Sequence, residues 1–142
     1  MTVGDRMTRD VRLTQPDETI RDAARAMAEM GVGALPVADG DRLVGVITDR
    51  DIAVRAVAEG RGPDTLVREV MTPEVKYCFD FEDLELVARN MGDQQLRRLP
   101  VVDRDKRLVG ILSLGDVATG DEVQHAAGDA LAGVSRPGGQ HS

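Results

Sequence analysis

Two aspartates, Asp51 and Asp116, each follow a hydroxyl residue by three positions, in "TDRD" (Thr48 to Asp51) and "SLGD" (Ser113 to Asp116). A hydroxyl at a helix N-cap with an acid at N3 forms a capping box. Each side chain then satisfies a backbone N–H that the first helical turn leaves open. The same spacing suits ligand chemistry. A hydroxyl beside the open N–H groups of a helix start can hold a phosphate, and a carboxylate can accept hydrogen bonds from a ribose diol. The two jobs are compatible, and spacing alone leaves both open. Three arginines accompany the pair. Arg97 and Arg98 stand ahead of a buried strand without acidic neighbours. They read either as a solvated surface pair or as guanidinium forks aimed at phosphate. Arg50 lies in the first turn of its helix, where the dipole mildly disfavours a cation, so it is either an exposed residue or a phosphate ligand.

These residues sit in a chain that repeats itself. "VGDRMTRDV" from Val3 aligns with "VREVMTPEV" from Val67, and "ALPVADGDRLVGVITDRDIA" from Ala34 aligns with "RLPVVDRDKRLVGILSLGDVA" from Arg98. The offset is 64 residues (Met7 to Met71, Leu35 to Leu99) and becomes 65 after the extra Lys106 (Asp51 to Asp116). Two copies are too few for a solenoid, so a pseudo-symmetric pair sharing one core is expected.

Each copy reads in the same order. A short β-branched strand follows Met-Thr, at Val11–Thr14 and again at Val75–Cys78. Thr19 can cap a helix in which Ile20, Ala23, Ala24, Met27 and Ala28 share a face, and Leu84, Val87, Ala88 and Met91 repeat it. Gly31 is a stop signal for the first helix. "LPVAD" and "LPVVD" are buried strands that turn into "RLVGVIT" and "RLVGILS". A second helix, Asp49–Ala58, closes the first copy. Gly45 and Gly110 fall inside strands, where glycine marks a bulge or a close backbone approach, leaving room for a ligand or for the other half. The fold class is therefore α/β (α+β), with two pseudo-symmetric β-α-β-β-α units. The expected divisions are a first motif over 1–58, a linker over 59–66, a second motif over 67–119, and a short helix with an unstructured tail over 120–142.

Composition narrows the function classes. The chain has 142 residues, a formal net charge of -7 and only 2% aromatic residues. An acidic chain poor in aromatics suits neither duplex nor single-stranded nucleic acid, so no nucleic-acid partner is expected. Cys78 is the only cysteine, so an intrachain disulfide is impossible. It reads as a small buried hydrophobe in a reducing, cytoplasmic setting. No run approaches the ~18 apolar residues of a membrane span, and the N-terminus lacks a signal-peptide core. Neither His125 nor His141 has a second histidine at metal-ligand spacing, and no Walker-type loop or Ser/His/Asp set is present. The expectation is a protein that is not an enzyme, with no catalytic residues and no metal.

The paired "LPVxD…RLVGxxTxxD" pattern, over roughly Thr2 to Thr119, resembles a tandem CBS-domain module, also called a Bateman module. The resemblance implies a pseudo-twofold pair with two clefts between the halves, frequent assembly into disc-like homodimers, and regulation of a partner protein. It also implies adenosine-containing ligands such as AMP, ADP, ATP, S-adenosylmethionine or dinucleotides. An adenine nucleotide then acts as a regulatory ligand and no cofactor is obligatory. Carried over by position, Thr48 and Ser113 touch phosphate, and Asp51 and Asp116 accept from ribose hydroxyls. Arg98, with Arg97, reaches phosphate in one cleft, where the other has Gly33 and Ala34. Adenine lies against Val11, Leu13, Ala34 and Pro36 in one half and against Val75, Tyr77 and Arg98 in the other. Tyr77 reads first as cover for the core edge and second as a stacking partner for adenine. Lys76 reads first as an exposed strand residue and second as a phosphate ligand. Two further readings stay open, a binder of S-adenosylmethionine or NAD and an interaction module that takes no nucleotide.

Overall fold

In the computed structural model the described residues are 1–113 and 115. Asp116 and the tail helix expected after Gly120 lie outside them. Helix α1 spans Ile20–Met30, and helix α4 occupies the matching place at Leu84–Asp93. The first start is capped by Thr19 as expected, and the second by Asp83, which the sequence reading did not single out. Thr19 accepts a hydrogen bond from the Asp22 N–H, and Asp83 accepts one from the Leu86 N–H. The α4 face is the expected one, with Leu84, Val87, Ala88 and Met91 buried. The α1 face is rotated from expectation. Ile20, Ala23, Ala26 and Met27 are buried, while Ala24 and Ala28 are exposed. At 100° per residue Ala26 closes the buried arc on one side, and Ala24 and Ala28 fall beyond its other edge.

The helix ends differ in a telling way. Gly31 ends α1 in the left-handed region at φ 66, and the equivalent residue after α4 is Gln95 at φ 57. A side chain there opposes the Cβ–carbonyl clearance that glycine provides. Gln95→Gly is expected to raise the unfolding free energy by about 1 kcal/mol, read by urea denaturation, after the entropy glycine adds to the unfolded chain is subtracted.

Strands β1 (Ala34–Asp39) and β2 (Arg42–Thr48) pair antiparallel, as do β4 (Arg98–Val102) and β5 (Leu108–Ser113). Each pair carries a register shift, at Val37/Ala38 and at Val101/Val102. The leading strands are shorter than expected. The first is reduced to a bridge between Thr14 and Val37, and the second to β3, Cys78–Phe79, parallel to β4. The second helix of the first copy starts as α2 (Asp49–Asp51) and continues as a π-helix over Ile52–Val57. A four-residue helix, α3 (Val67–Val70), follows the Gly/Pro linker.

The chain folds into two compact units, and the short lead-in of each copy packs with the strands of the other. One unit joins Met1–Val11 to the chain from Lys76, and the other is Arg12–Val75. In the first, Val3 and Met7 enter a core with Cys78, Leu84, Met91, Leu99, Val101 and Leu112. In the second, Val67 and Val70 enter a core with Ile20, Met27, Leu35, Val37 and Ile47. The Met-Thr dipeptides make the matching backbone bonds. The Thr8 N–H donates to the Ile111 carbonyl at 2.8 Å and the Ile111 N–H returns to Thr8 at 2.9 Å. Thr72 and Val46 exchange the same pair of bonds at 2.8 and 2.9 Å. Each lead-in therefore lies along the outer edge of a two-stranded pair and covers its open N–H and C=O groups.

This arrangement explains the strand glycines. A Cβ on Gly45 would stand 2.7 Å from the Thr72 carbonyl oxygen, and one on Gly110 would stand 2.5 Å from Met7 Sδ and 2.9 Å from the Thr8 oxygen. The lead-in of the opposite copy fills the room that sequence left open at both positions.

Cys78 sits in the core of the 76–113 unit and is free. Burial first, then the charges of Glu82 and Asp80, push its thiol from the usual 9.0 up to about 12. The folded thiol thus keeps its proton where the unfolded one ionises. Its contribution to stability is complete below pH 9.0 and is lost as pH rises toward about 12. At pH 8 a thiol reagent is expected to label Cys78 only through opening of the fold, so that labelling speeds up with urea, measured by the urea dependence of labelling.

Candidate functional site

The expected capping box forms at Thr48. Its Oγ1 accepts from the Asp51 N–H at 3.0 Å, and its own N–H donates to Asp51 Oδ2 at 3.0 Å. Asp51 is 9% exposed, so its carboxylate is nearly out of water and needs compensating donors. Thr72 supplies one, its hydroxyl lying 3.3 and 3.4 Å from the two carboxylate oxygens. Arg55, one turn further on, places Nη1 3.9 Å from Oδ1 while donating to the Val70 and Met71 carbonyls. Sequence reading missed Thr72 and Arg55. Thr72 recurs as Thr8 in the Met-Thr repeat, which was the available signal, but its packing against the opposite copy is not written in spacing. Oδ2 takes the Thr48 N–H, and Oδ1 takes only long contacts. An ionised carboxylate accepts about four hydrogen bonds, so acceptor capacity remains.

Strand register brings the residue before Leu-Pro to the hydroxyl residue. Ala34 is the partner of Thr48 across β1 and β2, and Arg98 is the partner of Ser113 across β4 and β5. Directly opposed residues point to the same face with Cβ atoms about 4.5–5.5 Å apart. Each unit therefore has a corner where a hydroxyl residue ends a strand beside a fixed neighbour. That neighbour is an exposed arginine in the 76–113 unit and a half-buried alanine in the 12–75 unit. The Asp49 N–H donates to the Gly33 carbonyl at 2.9 Å, and a Cβ on Gly33 would stand 3.0 Å from Asp49 Oδ2. The Asp49 carboxylate also accepts from the Arg50 N–H at 2.8 Å. An open cleft of about 490 Å³ adjoins this corner, lined by Ala24, Ala28, Gly31, Gly33, Asp49 and Ile52 among others.

The remaining sequence-predicted residues divide by unit. Leu13, Ala34, Pro36, Thr48, Arg50, Asp51 and Val75 belong to the 12–75 unit; Val11, Lys76, Tyr77, Arg97, Arg98 and Ser113 belong to the other. Pro36 is buried, Arg50, Lys76, Arg97 and Arg98 are exposed, and Val11, Leu13, Val75, Tyr77 and Ser113 are half-buried. Asp116 is outside the described residues. Tyr77 packs edge-on against Phe79 at 5.6 Å, Phe79 stacks on Phe81 at 5.0 Å, and Lys106 lies 5.2 Å over the Tyr77 ring. Its ring thus has partners of its own at the sheet edge. No helix among the described residues is long and apolar enough to cross a membrane.

Known proteins are similar to this chain in sequence and fold. The CBS domain pattern matches residues 3–57 and 67–120. CBS domain-containing protein YhcV of Bacillus subtilis is 42% identical over 134 residues, spanning 94% of this chain and 95% of its own length. The crystal structure of CBSX2, from Arabidopsis thaliana, in complex with AMP is similar at 35% identity and a TM-score of 0.71, with 83% of this chain and 93% of that chain covered. The CBS domain pair of protein MJ0100, in complex with 5′-methylthioadenosine and S-adenosyl-L-methionine, is similar at 29% identity and a TM-score of 0.67, with 84% and 94% covered.

Proposed function

The chain belongs to the CBS-domain family as a tandem pair, and on that premise we propose that it is a non-catalytic regulatory module that binds an adenosine-containing ligand, AMP, ADP or ATP foremost. The observation that carries this reading is the corner built twice on one plan. In each unit a hydroxyl residue at the end of a strand faces the residue before Leu-Pro, at Ala34↔Thr48 and Arg98↔Ser113. Thr48 and Ser113 serve as phosphate or ribose-side donors, and Asp51 and Asp116 as acceptors for the ribose hydroxyls. Val11, Leu13, Pro36, Val75 and Tyr77 offer apolar contact to the base, while Lys76, Arg50, Arg97 and Arg98 are the cations within reach of phosphate chemistry.

The signal follows from differential affinity. A ligand that binds one conformation better shifts the population toward it, and a partner protein that reads that conformation responds. The same reading includes a homodimer, a cytoplasmic setting and an effector supplied as a separate protein. The relatives solved with AMP and with S-adenosyl-L-methionine support the ligand class.

Thermal shift with AMP, ADP, ATP, NAD and S-adenosylmethionine tests it. A ligand at 100 times its Kd stabilises the native state by about 2.7 kcal/mol, a shift of several degrees for a chain of this size. At least one compound is expected to raise Tm in this way. No shift from any of them at millimolar concentration would overturn the proposal and leave a purely structural module.

A further inference from the structure

The two corners share one strand register and differ in the charged side chain beside it. In the 76–113 unit, Arg98 is the cross-strand partner of Ser113, with Arg97 one residue before it, and both are exposed. In the 12–75 unit the partner of Thr48 is Ala34, and the residue before it is Gly33. The missing side chains are not replaced by neutral space. The Asp49 carboxylate lies where a side chain on residue 33 would begin, its Oδ2 3.0 Å from the Cβ position of Gly33. An acid thus stands where the twin unit has a base. Asp51 is the second carboxylate of that turn and has Arg55 Nη1 3.9 Å from its Oδ1, a guanidinium already donating to the Val70 and Met71 carbonyls, while Arg50 is exposed beside the two acids. The adjoining cleft is otherwise lined by Ala24, Ala28, Val32 and Ile52 with their neighbours, and Asp49 is its only charged lining residue among the described residues.

From this reversal we infer that the two units divide adenosine ligands by the charge on the 5′ side: the Arg98–Ser113 corner takes a phosphate-bearing ligand, and the Asp49–Thr48 corner takes one whose 5′ substituent is uncharged or cationic. The inference rests on the adenosine reading above and gives each unit its own ligand class. The physical basis is simple. A guanidinium makes strong, bidentate, charge-assisted bonds to phosphate, whereas a carboxylate facing a phosphate repels it and must be desolvated without a partner. A ligand with a neutral thioether or a sulfonium at the 5′ position avoids that repulsion and suits an apolar cleft with one acid.

Isothermal titration of the full chain with AMP and with adenosine separates the possibilities. Wild type is expected to take one equivalent of AMP more tightly than adenosine. Arg98→Ala is expected to weaken AMP at least about 10-fold more than it weakens adenosine, because AMP loses the phosphate contact in addition to the contact with the base that the two compounds share. The converse change, Ala34→Arg with Asp49→Asn, is expected to add a second equivalent of AMP. Circular dichroism confirms the fold of each variant, and Arg98, being exposed, is the substitution least able to disturb it. If AMP and adenosine both bind but Arg98→Ala leaves their affinity ratio unchanged, this inference is overturned and the adenosine reading stands. Two equivalents of AMP with equal affinity in wild type also overturn it. If neither compound binds wild type, the adenosine reading fails and the inference fails with it.

Discussion

Gly110→Ala is expected to lower the unfolding free energy by about 2–4 kcal/mol, and Gly45→Ala by a similar amount, in urea denaturation at neutral pH. At Gly110 the added methyl meets Met7 Sδ at 2.5 Å and the Thr8 carbonyl oxygen at 2.9 Å. Methionine is flexible and can swing away, but the Thr8 backbone is fixed by its two hydrogen bonds to Ile111. At Gly45 the nearest atom is itself backbone, the Thr72 oxygen at 2.7 Å. Relief therefore requires moving a lead-in away from the edge it covers, breaking the paired bonds and loosening Met7 or Met71 from its core. Gly62→Ala is the control. Nothing lies within 4 Å of its Cβ position and its φ is not positive, so the change is expected to be neutral or slightly stabilising. Equal effects at all three glycines would show that the lead-ins do not pack as described.

Asp51→Ala carries the second large effect, on stability and binding together. It removes the N3 half of a capping box, leaves the Thr48 N–H without its acceptor and takes away the partner of the Thr72 hydroxyl. Losing such a cap and leaving a partly buried donor unpaired costs about 2 kcal/mol in total. Asp51→Asn keeps one oxygen for the Thr48 N–H and removes the charge, so its loss is expected to be smaller, about 1 kcal/mol. Both variants are expected to weaken an adenosine ligand about 10-fold or more, because a neutral amide or a methyl replaces the charged ribose acceptor. A stability loss in Asp51→Ala with ligand affinity unchanged in Asp51→Asn would make the carboxylate a cap alone.

Much of this was legible in the sequence, for local reasons. Thr19 and Gly31 marked the ends of the first helix through bonds within a turn or two, and the spacing of Leu84, Val87, Ala88 and Met91 named a face that packs as read. The repeat also named the hydroxyl residues and the residues before Leu-Pro, which strand register sets opposite each other at Ala34↔Thr48 and Arg98↔Ser113. What escaped was non-local. Met-Thr recurred, but nothing in its spacing says that Thr72 pairs with Val46 and Thr8 with Ile111. The same exchange explains why Gly45 and Gly110 stayed ambiguous, since their neighbours lie in the other copy's lead-in. The leading strands were overestimated because β-branched residues at 11–14 and 75–78 signal extended backbone, while only Thr14 and Cys78–Phe79 reach a ladder partner. The turn of Asp49 toward Gly33 is a rotamer, and rotamers are set by packing that sequence spacing does not report.

Calorimetric titration of AMP into wild type and into the Asp51→Asn, Asp116→Asn double variant is the most direct test that the hydroxyl–aspartate corners hold an adenosine ligand. Wild type is expected to bind at millimolar AMP or below, and the double variant, still folded by circular dichroism, to bind about 10-fold or more weakly. Equal affinity in the two proteins, or no heat of binding in wild type, would contradict it.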